Sequence, residues 1–76
     1  MKEILESIIL NMVDNREKVS VIEKVNENTI TYQVKVENTD MGRVIGKQGR
    51  TAKAIRSVMK AVAGKEHKRV VVEFVD

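Results

Sequence analysis

The chain has 76 residues, 42% of them hydrophobic and 33% charged, with 14 Lys and Arg against 11 Asp and Glu for a formal net charge of +3. That length allows one domain, which buries only about 60% of the surface its unfolded chain exposes. The absence of Cys excludes disulfides and thiolate metal sites, and the single His67 cannot make a metal site alone, so self-association is the expected support for a small core.

Ile4, Leu5, Ile8, Ile9, Met12 and Val13 recur at helical spacing with Lys2, Glu3, Glu6 and Asn11 between them, which predicts an amphipathic helix from Lys2 to Asp14. The acids within that pattern exclude a signal peptide or a membrane span, and a cysteine-free, anchor-free chain reads as cytoplasmic. Val19, Val21 and Val25 alternate as the apolar face of a first strand. Asn26 to Asn28 supply turn chemistry, and Ile30, Tyr32, Val34 and Val36 alternate with polar residues as a second strand, giving a hairpin with a loop of three or four residues. Thr39 or Asp40 is placed to N-cap a short helix ending at Ile45, with Gly46 as its stop. A longer helix follows from Arg50 to Ala63, capped by Gly64, and the last strand holds Val70, Val72 and Phe74 on one face and Val71 and Val75 on the other. Tyr32 and Phe74, the only aromatic residues, fall on the apolar parity of their strands and read as core.

The order helix, strand, strand, helix, helix, strand predicts an α+β domain. Two helices between the second and third strands make a crossover, so those strands can run parallel in a three-stranded mixed sheet with the helices on one face.

Charge is segregated. From Arg43 to Arg69, nine cations stand against Glu66 alone, whereas Met1 to Gly42 holds five cations and eight acids. A basic block of this kind is the electrostatic footprint of a polyanion site. Within it lies Gly46-Lys47-Gln48-Gly49, where two glycines permit backbone angles other residues avoid and let a ligand approach the main chain. The Arg50 helix begins immediately beyond, with first-turn N–H groups suited to phosphate. The preceding helix points its negative end at the same loop, and Lys47, Arg50 and Lys53 offset it. Neither the P-loop spacing nor the dinucleotide G-x-G-x-x-G pattern is present, so no nucleotide cofactor and no small-molecule substrate is expected.

The run GRVIGKQGRTAKAIR between two helices resembles the signature of a KH domain, whose G-x-x-G loop clamps about four nucleotides of backbone. The element order is similar to the type II (prokaryotic) KH fold over residues 1–76, and the length resembles the small stand-alone bacterial KhpA (YlqC-like) family. That resemblance implies a cytoplasmic protein that binds single-stranded RNA and acts as an RNA chaperone. It also implies pairing with a second KH protein, KhpB (Jag or EloR), and a link to cell length and cell-wall homeostasis. Carried over residue by residue, Gly46, Lys47, Gln48 and Gly49 match the clamp. Val44, Ile45 and Ile55 match apolar positions lining a base groove, to which Val36 contributes, and Arg43, Arg50 and Lys53 stand where phosphate contacts are expected. For Val44, Ile45 and Ile55 core packing is an equal expectation, and for Arg56 and Lys60 a solvated helix face leads.

The leading reading is therefore an RNA-binding module acting as a homodimer or with a KH partner. The alternative is an assembly subunit whose contacts run through Val71, Val75, Ile22 or the exposed side of the Arg50 helix. An enzyme is the weakest class, because no Ser or Cys has a base at recognisable spacing and His67 reads as a solvated loop residue.

Overall fold

A computed structural model describes residues 1–75. The elements run α1 (Lys2–Leu10), β1 (Ser20–Asn26), β2 (Thr29–Lys35), α2 (Asn38–Ile45), α3 (Arg50–Lys65) and β3 (Arg69–Val75), with 3-10 turns at Arg16–Lys18 and Lys47–Gly49. The sheet order is β1-β2-β3; β2 is central, antiparallel to β1 and parallel to β3 through the α2–α3 crossover. This is the α+β arrangement that the hydrophobic periodicities predict.

One sheet face carries the core. Val21, Ile30, Tyr32, Val34 and Val72 share the inward parity and form one cluster with Leu5 and Ile9 of α1, Val44 of α2, and Ile55 and Met59 of α3. All three helices therefore cover the same face. Truncating Leu5 or Met59, both fully buried, to Ala would cost about 2–5 kcal/mol, a large share of the stability of so small a domain. In α3 the buried positions Ala52, Ile55, Met59 and Ala63 recur at three- and four-residue spacing on one stripe, and the helix contains no Pro to interrupt it. The opposite sheet face is polar and open, with Thr31 and Gln33 of β2 between Ile22 of β1 and Val71 of β3.

Five local expectations are corrected. α1 ends at Leu10 rather than Asp14; Asn11 closes the helix, and Met12 and Val13 still pack inward from the following turn. The hairpin loop is two residues, since Asn26 pairs with Thr29, and Glu27 takes φ +55° where the pattern had suggested a longer loop. Val25 is 63% exposed despite its apolar parity: it lies on the edge strand β1, whereas its partner Ile30 on the central strand is buried. α2 is entered from Glu37, so neither Thr39 nor Asp40 is its N-cap. Finally, α3 runs through Gly64 to Lys65, and the left-handed residue that ends it is His67 at φ +57°, with the Lys68 N–H donating to Ala63 O at 3.0 Å.

Tyr32 is fully buried, and its hydroxyl donates to Glu23 Oε2 at 2.7 Å. Burial first, and then this carboxylate partner, push the phenol well above its ordinary pKa.

Candidate nucleic-acid interface

The Gly46–Gly49 loop is a sharp bend built from left-handed backbone. Gly46 caps α2 at φ +76°, its N–H donating to Gly42 O at 2.8 Å. Gln48 (φ 57°, ψ 24°) and Gly49 (φ 74°, ψ 15°) then follow as two consecutive left-handed residues before α3 starts. Gly49 is the N-cap of α3 and offers no side chain to its first-turn N–H groups, of which that of Arg50 already donates to Lys47 O. The two glycines differ in what surrounds them. A Cβ on Gly46 would meet Thr51, whose own Cβ would be 2.7 Å away and whose main-chain N 2.9 Å away, whereas a Cβ on Gly49 would meet nothing within 4 Å.

Around this bend the cations divide. Lys47, Arg50 and Lys53 are exposed and have no ion-pair partner among the described residues. Gln48 is exposed beside them. Arg43 is held elsewhere: its Nη1 donates to Asp14 Oδ1 at 3.1 Å, so it points toward the segment after α1. Its other donors have no partner among the described residues, so a phosphate contact from Arg43 would share the guanidinium with Asp14.

The apolar residues of the motif lie mostly beneath the surface. Val44 is fully buried and Ile55 nearly so at 4%, both within the core cluster. They fix the bend from below by holding α2 and α3 in the core. Ile45, half-buried at the end of α2, is the one that keeps surface next to the loop. Val36 is buried at 3% and lines a separate hollow with Lys18, Lys35, Glu37 and Asn38.

Three features of α2, α3 and their surroundings carry no simple sequence signal. Asp40, expected as a cap of its own helix, is 2% exposed and accepts from the main-chain N–H of Asp14 (3.2 Å), that of Asn15 (3.0 Å) and Asn15 Nδ2 (3.0 Å). The backbone donor of Asn15 above all holds its carboxyl below the ordinary value, and burial opposes that only in part. Asp40 thus ties α2, and with it the glycine loop, to the turn after α1. Arg56, expected on a solvated face, instead reaches β3, donating from Nε to Val72 O at 3.0 Å. A cleft of about 370 Å³ at the far end of α3 is lined by Lys60, Gly64, Lys68, Arg69 and Val70, with three cations and no acid. Helical spacing places Lys60 on the α3 side of this cleft, but only the tertiary fold brings Lys68 and Arg69 to meet it.

No helix among the described residues is long and apolar enough to cross a membrane, and no group of His, Cys, Asp or Glu among them could hold a metal ion. A sequence model of the KH domain of KhpA/KhpB matches residues 2–74. RNA-binding protein KhpA of Clostridium acetobutylicum is 55% identical over 75 residues, covering 99% of this chain and all of that protein. RNA-binding protein KhpA of Listeria monocytogenes is 42% identical over the full length of both chains. The protein of the same name from Aquifex aeolicus is 41% identical over all of this chain and 96% of its own. With a glycine loop between two helices, a β2–β3 crossover around it and full-length likeness to these relatives, the chain belongs to the KhpA/KhpB family of KH-domain proteins, a non-enzymatic family.

Proposed function

We propose that the chain binds single-stranded RNA, with the sugar-phosphate backbone over Gly46–Gly49 and the bases directed along α3. One observation carries this reading. The bend is acid-free, strained into left-handed backbone at Gln48, and ringed by exposed Lys47, Arg50 and Lys53 that no carboxylate among the described residues engages. A turn that served only to join two helices would not need such a ring of unengaged cations. In this reading Val44 and Ile55 back the site from the core, Ile45 is nearest to a bound base and Arg43 is a further phosphate contact, while Val36, in its separate hollow, stands apart from it. The names of the relatives, which are RNA-binding proteins, support it.

The test is the double variant Lys47→Asp, Gln48→Asp, which puts two negative charges where phosphate would lie and keeps both glycines. Asp tolerates left-handed backbone, so the expected folding change is within about 0.5 kcal/mol per position. RNA binding should weaken by on the order of 2 to 4 kcal/mol, roughly 30- to 1000-fold. Unchanged RNA affinity in a folded double variant rejects the clamp.

A second reading, assembly with another KH chain, is favoured by exposed apolar side chains on the helical side: Val58 of α3 is 46% exposed and Ile4 of α1 42%. The sheet side fits it less well, because polar β2 side chains separate Ile22 from Val71. Two copies, or one copy with a KhpB-like partner, would raise avidity without new contact types. An RNA chaperone acting with such a partner in the cytoplasm, in cell length and cell-wall homeostasis, is the wider role this reading extends to. Sedimentation tests the homodimer: a strictly monomeric mass up to roughly millimolar concentration, with an ordinary melting temperature, removes it. Crosslinking in cells, with RNA and protein adducts both identified, tests the partner.

A further inference from the structure

Arg56 lies six residues into α3 from Arg50, about 9 Å along the helix axis from the end of the glycine loop. Its Cζ stands 5.5 Å from the centroid of the Phe74 ring while its Nε donates to Val72 O at 3.0 Å. Both partners belong to β3, an edge strand with β2 on one side only. A Val72 carbonyl that a helix side chain can reach faces away from β2, so Arg56 sits on the free edge of β3. The cleft lined by Lys60, Lys68 and Arg69 lies further along α3.

The state of the guanidinium is specific. Of its five N–H donors, one is used by Val72, and the Nη groups have no acceptor among the described residues. Its Cζ stands over the Phe74 ring, yet the residue as a whole is exposed, which leaves the guanidinium accessible to a ligand. The chain has no Trp, its one Tyr is fully buried, and its one Phe is half-buried beneath Arg56. His67, the remaining ring, lies beyond the opposite end of α3. Arg50 and Arg43 stand nearer the glycine loop, but among the described residues Arg56 is the guanidinium that an aromatic ring backs.

We infer that Arg56 is a base-contacting residue of this site, its guanidinium stacking a nucleobase of the strand whose backbone the glycine loop holds. This rests on the RNA reading above. Phe74 backs the plane by cation–π contact and Val72 O fixes its orientation, so little side-chain freedom remains to be lost on binding. The free Nη donors then face the edge of the stacked base or its neighbour's phosphate. Lysine cannot replace this, because an ammonium is a point charge without a plane.

The experiment measures anisotropy of labelled oligouridylates of about eight nucleotides, one intact and a set each carrying a single abasic residue at a different position. For the unsubstituted protein, one position should show a loss of roughly 5- to 100-fold when its base is absent, the range of one stacking contact. Arg56→Lys should weaken the intact RNA by a similar factor, abolish the penalty at that position, and leave the salt dependence unchanged because the charge remains. Circular dichroism melting accompanies each measurement. A folded Arg56→Lys protein that binds intact RNA as tightly as the unsubstituted one, and keeps the abasic penalty, overturns the assignment and makes Arg56 an edge cap only. The abasic scan of the unsubstituted protein needs no variant, and equal affinity at every position also overturns it. Failure of the unsubstituted protein to bind any of the RNAs overturns the RNA reading itself, which the scan separates from failure at Arg56 alone.

Discussion

Thr51 fills the space where any side chain at Gly46 would have to go: a Cβ there would lie 2.7 Å from Thr51 Cβ and 2.9 Å from its main-chain N. The first turn of α3 is thereby seated directly against the end of α2. The glycine loop is tight because of this contact as much as because of its left-handed backbone.

The two glycines should consequently respond differently to substitution. Gly46→Ala combines a positive φ with overlap against Thr51 and should cost more than about 2 kcal/mol. Gly49→Ala has open space and only the left-handed strain, about 1 kcal/mol, and Gly49→Asn should cost less. Adding Thr51→Ala to Gly46→Ala should restore only part of the loss, since the main-chain N remains in the way. Urea unfolding of the four variants checks the order.

Gln48, at φ 57°, carries the same strain without being glycine. Gln48→Gly should raise stability by about 0.5 kcal/mol, the relieved strain being offset in part by the greater freedom of glycine in the unfolded chain. Thermal unfolding would read this, and a stabilised variant with weakened RNA binding would show that the Gln side chain itself contributes to the clamp.

Asp40 predicts an acid-sensitive link between α1 and α2. Its carboxyl is held below its ordinary value of 3.8 by the Asn15 main-chain donor first, so it contributes stability that is fully present above that value and lost as pH falls through the lower folded value. The effect is thus confined to pH below about 4. Asp40→Asn should lower the melting temperature at neutral pH by at least roughly 4–8 °C and flatten the dependence in the acid range. A variant melting curve parallel to that of the unsubstituted protein between about pH 2 and 6 would contradict this.

Exposed, unpaired cations at the glycine loop predict a marked salt dependence. If about three or four phosphates are neutralised, log K for a single strand should fall with log salt at a slope of roughly −2 to −3. Lys53→Ala should reduce that slope by about 0.7. Arg43→Ala should change it less, because Arg43 is already paired with Asp14. A flat dependence would mean that RNA is bound on another surface.

The sequence by itself determined the element order, the inward parity of β2 and β3, the stop at Gly46 and the basic ring around the loop. These are local properties: two-residue and three-and-a-half-residue periods report which side of a strand or helix is buried, and a glycine pair reports a bend. The hairpin length, the end of α3 at His67 rather than Gly64 and the exposure of Val25 were decided by how neighbouring elements are placed, which no local period records. Asp40 and Arg56 show the same limit most plainly. Asp40 reads as a helix cap until the fold brings it donors 25 and 26 residues away, and Arg56 reads as a solvated charge until β3 supplies Val72 and Phe74. Both side chains are polar groups whose roles depend on the partner presented across space, and that partner exists only once the sheet and helices have packed.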